Sequence, residues 1–265
     1  YTLGCFPREP EERAAFVRAM QAMQDPQTGL FFEGTHHAFH TTAHVLAALE
    51  LFDAQPLYPL AAMRPYLEKE ALYAFLEGLD WARSPWPQSH QGAGLFAALT
   101  ITRTADAQWQ NWYFDWLRQR CDPESGISYG EKLGQDTLAH HLFGWFHYLF
   151  NHEYAHRPLR YPEKTIDTCL DIYRGHRWPT LGHAVSFAEI DWVYCLNRAL
   201  RQSGYRFADC KSALHDFAEE YIEYLEGLDT ATHDGFNDLH TLFGCICALS
   251  ELQAALPGEL SSDKP

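Results

Sequence analysis

Basic residues are scarce: the 265-residue chain sets 20 Lys and Arg against 35 Asp and Glu, a formal net charge of −15. Tracking a nucleic-acid backbone needs a Lys/Arg stripe, and none is written here. Nucleic acid is therefore not expected as a partner, and an anionic membrane surface is disfavoured on the same electrostatic ground. Long apolar runs are missing too. None reaches the roughly 18 residues of a membrane helix, and the longest candidate, 142–150, contains His147. No leader pattern opens the chain, whose first residue is Tyr1. The seven cysteines form an odd set with no CxxC pair, and no Asn-x-Ser/Thr sequon occurs. That usage fits free thiols behaving as small hydrophobes and predicts a reduced, cytoplasmic setting. Sustained period-two alternation is absent, as are a P-loop, a GxGxxG after a strand and a GxSxG elbow.

What is present is aromatic and repetitive. Apolar residues make up 46% and aromatics 15% of the chain, with no low-complexity segment. Asp25-Pro-Gln-Thr-Gly29 and Asp122-Pro-Glu-Ser-Gly126 both read DP-x-[T/S]-G, 97 residues apart, and 229–235 is a looser copy. Breaker clusters at 84–87 and 175–179 fall between them, giving a break about every 50 residues. The segment before each break is amphipathic: 11–23, 66–79, 107–121, 162–174 and 208–228. The segment after it is apolar nearly all round: 40–52, 90–101, 137–150, 184–200 and 239–252. An amphipathic helix suits an outer layer and an all-round apolar helix must be buried. The pattern predicts an all-α domain over 1–255, with an exit tail at 256–265.

The stretch MQDPQTGLF…HTTAHVLAALELF resembles the repeat unit of α/α-toroid proteins. That group holds prenyltransferase β subunits, triterpene cyclases, and (α/α) glycoside hydrolases and polysaccharide lyases. The resemblance implies a toroid of about five helical hairpins, inner and outer rings around a central pocket. An open α-solenoid is the alternative.

In that arrangement the inner-helix starts carry the site. His36, His40 and His44 recur every four residues, Ser89-His90-Gln91 opens the second inner helix, and Asp136, His140, Gly144 and His147 lie on the third. Ser186, Glu189 and Asn197 share a stripe on the fourth, and Asn237 and His240 open the fifth. The expected function is a carbohydrate-active enzyme, a glycoside hydrolase or polysaccharide lyase acting on an oligosaccharide or small molecule. Glu189 would be the general acid, its pKa raised by apolar neighbours, and Asp136 the base. Two carboxylates about 6.5–9.5 Å apart would imply inversion. For elimination His140 or His240 would take the proton. His40, His44, His90, Gln91 and Asn237 would bind substrate, with Trp86 and Trp178 stacking on sugar faces. An isoprenoid-handling enzyme and a non-catalytic scaffold domain are the alternatives.

Metal motifs carry less. His152-Glu-Tyr-Ala-His156 matches HExxH but falls just before Pro158, at the end of its helix. Lys164-x-x-Asp167-x-Cys169 with Asp238-Leu-His240 resembles the zinc ligands of prenyltransferase β subunits. Here, however, Asp167 and Cys169 precede their break on an outer helix, whereas the family's pair opens an inner one. His36, His40 and His44 have HxxxH spacing, which leaves a zinc ion shared with Glu189 or His140 as an alternative. No metal or cofactor is assigned.

Overall fold

In the computed structural model, which describes residues 4–128 and 137–261, each repeated turn is closed by its own aspartate. Asp25 Oδ1 accepts from the N–H groups of Gln27 (3.1 Å) and Thr28 (2.7 Å) and from the Thr28 hydroxyl (2.7 Å). Asp122 accepts in the same way from the Glu124 and Ser125 N–H groups and the Ser125 hydroxyl. In both turns the glycine N–H returns to the aspartate carbonyl at 2.8 Å. Isolated antiparallel bridges, Gln24 with Phe31 and Cys121 with Ser128, close the chain behind them. Gly29 and Gly126 have φ of +76° and +73°. A Cβ at Gly29 would lie 2.0 Å from the Pro59 carbonyl oxygen, and one at Gly126 2.4 Å from the Thr165 nitrogen. Only glycine satisfies both demands. In the third copy Asp229 accepts from the Ala231 N–H and the Thr232 hydroxyl. The shared residues thus encode one Asx-type turn.

The helix-patterned stretches are helical over most of their length, except that 184–187, expected to open the fourth inner helix, is irregular chain leading into it. In chain order the helices are α1 (Pro10–Gln21), α2 (Ala38–Leu51), α3 (Lys69–Glu77), α4 (Pro85–Ile101), α5 (Ala107–Arg120) and α6 (Leu138–Tyr154). They continue with α7 (Pro162–Arg174), α8 (Ala188–Ser203), α9 (Phe207–Glu226), α10 (Asp234–Asn237) and α11 (Leu239–Ala255). The single-turn α10 and a 3-10 segment at Ala61–Leu67 were not expected from the pattern. Among the described residues there is no strand beyond the two bridges, and no helix is long and apolar enough to cross a membrane.

Burial follows the predicted alternation at α4, α6 and α8 but not throughout: α2 exposes His44, Ala47 and Glu50, and α11, expected to be buried all round, exposes Leu239 and Phe243. On α9 the buried residues Cys210, Ala213, Leu214, Phe217, Ala218 and Tyr221 make one stripe, whereas α8 is buried without interruption from Ala188 to Asn197. Each fully enclosed side chain such as Phe96 or Phe217 contributes about 1.5–3 kcal/mol. Of the cysteines, Cys5 is exposed, Cys247 half-buried and the rest buried. Burial pushes the Cys121 thiol up to about 12, those of Cys210 and Cys247 to about 11, and those of Cys169 and Cys195 well above the usual range.

Contacts divide the chain into two compact units. The N-terminal unit comprises Phe6–Arg120 and Phe150–His156. In it α2 packs along α4, and the approach is close at Gly94, where a Cβ would meet the Phe39 carbonyl oxygen at 2.7 Å. Asn151 donates to the Tyr113 hydroxyl (2.9 Å) and the Ala93 carbonyl (3.2 Å), both buried. The C-terminal unit is built on Cys121–Leu149 and Arg157–Pro265, with α8 packed on α7 and α11. There Glu251 of α11 accepts from Asn197 and, at 2.9 and 2.8 Å, from Arg198 of α8.

Candidate functional site

In the N-terminal unit the Gly94 contact sets the register of α4 against α2. His90, one turn before Gly94, is thereby carried to the start of α2. Its ring stacks on that of His40 at 4.2 Å between centroids, and their ring nitrogens lie within 4.8 Å. His44, one turn on, has Nε2 at 3.2 Å from His40 Nε2. His36 precedes the helix, yet its ring centroid is 5.1 Å from that of His40 and 5.9 Å from that of His90. His40 is buried, His36 and His90 are half-buried and His44 is exposed. Three predicted substrate-binding residues are therefore brought together.

Glu33, which the sequence reading passed over, completes the group. Its Oε1 accepts from the His36 N–H (2.6 Å) and faces His36 Nδ1 at 2.9 Å, while Oε2 accepts from the Thr35 N–H and hydroxyl. These bonds, the Thr35 hydroxyl first, hold its carboxyl down at about 2, so it is ionised at neutral pH. A carboxylate facing Nδ1 requires the proton there, which leaves Nε2 of a neutral His36 ring with its lone pair. The signal was available as Glu33-Gly-Thr-His36, a carboxylate three residues ahead of the histidine stripe. Gln91 donates to Gln88 (3.2 Å), and Trp86 is half-buried in the first turn of α4.

In the C-terminal unit the remaining assigned residues separate into two neighbourhoods. His140 in the first turn of α6 meets Trp178 edge-on at 5.1 Å, and both are half-buried. His240 is exposed on the first turn of α11, its ring 3.7 Å from that of Phe187. It is held there because Gly244, one turn later, packs on the Ser186 backbone, where a Cβ would meet the carbonyl oxygen at 2.6 Å. His90/Gly94 and His240/Gly244 thus use one device. A glycine admits the preceding buried helix, and the histidine one turn earlier rides beside its start. His140/Gly144 has the same spacing.

Glu189 is fully buried in the first turn of α8. It accepts from the Ser186 hydroxyl at 2.5 Å and the Gly182 N–H at 3.3 Å. Burial raises its pKa, as the sequence reading expected, and raises that of the equally buried Asp191 further, with the charge of Glu189 adding to the effect. Asp136 lies outside the described residues. Asn237 is exposed at the end of α10. Asp238 caps α11 by accepting from the His240 and Thr241 N–H groups.

The metal motifs read from sequence do not assemble. α6 stops at Tyr154, and His156 lies beyond it with φ of +52°, so the HExxH histidines do not share a helix face. His152 is buried with its ring 4.8 Å from Phe114. Asp167 pairs with Arg206 at 2.9 Å, and Cys169 is a fully enclosed thiol whose pKa burial drives up. An open groove lined by Tyr73, Glu77, Trp116 and Arg120 contains none of the assigned residues. No protein-family model, curated protein or solved structure matches the chain.

Proposed function

We propose that the protein is a carbohydrate-active enzyme, a glycoside hydrolase or polysaccharide lyase, cytoplasmic and built as a five-hairpin α/α toroid. The near-complete burial of α4, α6 and α8 and the glycine-turn repeat support that architecture. The observation that carries the activity is the pairing of His140 with Trp178, a titratable base edge-on to a partly open indole. An indole face suits the apolar face of a sugar ring, and imidazole is the side chain best matched to proton transfer near neutral pH. The net charge of −15 favours a neutral oligosaccharide over a polyanion. Glu189, its protonated form favoured by burial, is the acid in the hydrolytic version. To reach a glycosidic oxygen it must leave Ser186 and Gly182, so substrate binding has to open the segment before α8.

The test is turnover of a panel of neutral and uronate-containing oligosaccharides, scoring new reducing ends for hydrolysis and unsaturated products for elimination. His140→Gln is expected to lower kcat by ~10²–10⁴-fold, and Trp178→Ala to raise KM. Glu189→Gln should abolish hydrolysis; full activity in that variant would discard the hydrolytic version. No turnover and no calorimetric binding across the panel would overturn the carbohydrate reading.

A further inference from the structure

We infer that the N-terminal unit carries a binding site for one divalent transition-metal ion of the zinc class, centred on His40 with His44 and His90, and flanked by His36 with Glu33 behind it. This goes beyond the carbohydrate reading and stands independently of it.

At the α2–α4 contact the His40 ring neighbours those of His36, His44 and His90, at 5.1, 4.4 and 4.2 Å between centroids, and two geometric features suit a metal rather than a stack of packing rings. First, His40 and His44 present Nε2 to Nε2 at 3.2 Å. Two imidazoles on one tetrahedral zinc, each about 2.0–2.1 Å from it, would have their nitrogens about 3.3 Å apart. The i, i+4 pair on α2 is thus already at chelating separation. Second, Glu33 fixes the His36 ring through Nδ1. An outer carboxylate on one ring nitrogen is how metal-binding histidines are oriented and made more basic. His90 supplies a ligand from a second helix. Its nitrogen and that of His40 lie within 4.8 Å, a separation that rotation of the ring closes onto a shared ion.

The donor set selects the ion. Neutral imidazoles suit zinc, copper, nickel and cobalt, whereas calcium and magnesium demand oxygen. The exposed edge at His44 gives an ion a way in.

Equilibrium dialysis of the full chain against zinc, with cobalt as a spectroscopic probe, tests the site. One zinc per chain is expected at neutral pH, with cobalt giving the visible bands of a nitrogen-rich tetrahedral site. His40→Ala and His90→Ala should each weaken zinc binding by more than ~100-fold, beyond the ~10–100-fold typical for loss of an outer partner. Glu33→Gln should fall within that smaller range. His44→Ala, at an exposed position, keeps the test decisive if a buried variant fails to fold; it too should lose affinity. His152→Ala and His215→Ala, outside the group, should bind as the wild type does. Uptake should fall on acidification, because protons and the metal compete for the same ring nitrogens. Failure of the wild type to bind zinc at neutral pH overturns the site, as does unchanged affinity in the His40, His44 and His90 variants. Both outcomes are read from the metal itself and leave the sugar assay untouched.

Discussion

Burial favours the protonated forms of Glu189 and Asp191, and the unfolded chain releases those protons near the usual carboxylate values of about 4. Between that pH and the raised folded values the native state binds more protons than the unfolded one. Stability therefore falls as pH rises through this window. Asp191, whose Oδ2 has no hydrogen-bond partner, is the clearer probe because Glu189 is bonded to Ser186 and Gly182. Asp191→Asn should have a higher Tm than the wild type at pH 7, and a flatter dependence of Tm on pH above 4. A lower Tm at pH 7, at unchanged Tm near pH 4, would mean that the Asp191 anion is stabilised in the fold. Arg198, the first basic residue of α8 after Asp191, stands seven residues and two turns away, too far for a side-by-side contact. Arg198 instead reaches Glu251, 53 positions away, on a neighbouring helix. Residue identities exposed the chemistry available to each side chain, whereas the partner depended on which helices meet.

At the scale of the element, the turns were the most legible feature. An Asx-type turn needs Asp, then Ser or Thr, then Gly in fixed order, so its chemistry is visible in a five-residue string. Helix type was legible for the same local reason, from periodicity and breakers. The short α10 and the Ala61–Leu67 segment were not, being too brief for a period and, in the second, interrupted by Pro65. The convergence of His36, His40, His44 and His90 was half legible. The α2 stripe shows in its spacing, but the arrival of His90 depends on Gly94 seating against Phe39. Gly126→Ala against Gly204→Ala separates backbone strain from collision. Gly204 has φ of +65° with nothing within 4 Å of an added Cβ, so its substitution should cost only the ~1–2 kcal/mol of a left-handed residue. Gly126, at a similar φ but closed in by the Tyr161–Thr165 backbone, should lose clearly more in chemical denaturation. Equal losses at the two positions would remove the claim that this turn needs glycine for space.

For the molecule as a whole, net charge is the feature most open to measurement. At −15 the chain attracts cations over a range set by the screening length, about 10 Å at 0.1 M salt. Zinc association with the N-terminal site should therefore slow as ionic strength rises, while dissociation changes little. Stopped-flow mixing with a zinc indicator at low and high salt checks this. A rate indifferent to salt would show that the local field at the histidines is not set by the overall charge. Composition made that charge readable at once. It could not reveal that Glu189 is closed off, because the closing groups, Gly182 and Ser186, belong to an irregular segment with no period to read.

The enclosure of the thiols has a practical side. Six of the seven cysteines are buried or half-buried, and for Cys121, Cys169, Cys195, Cys210, Cys245 and Cys247 the reactive thiolate is also suppressed at neutral pH. Cys5, exposed ahead of α1, is left as a natural attachment point. A fluorophore or spin label can be carried there on the unaltered chain, so that distances to the histidine group become accessible without first engineering the other cysteines away.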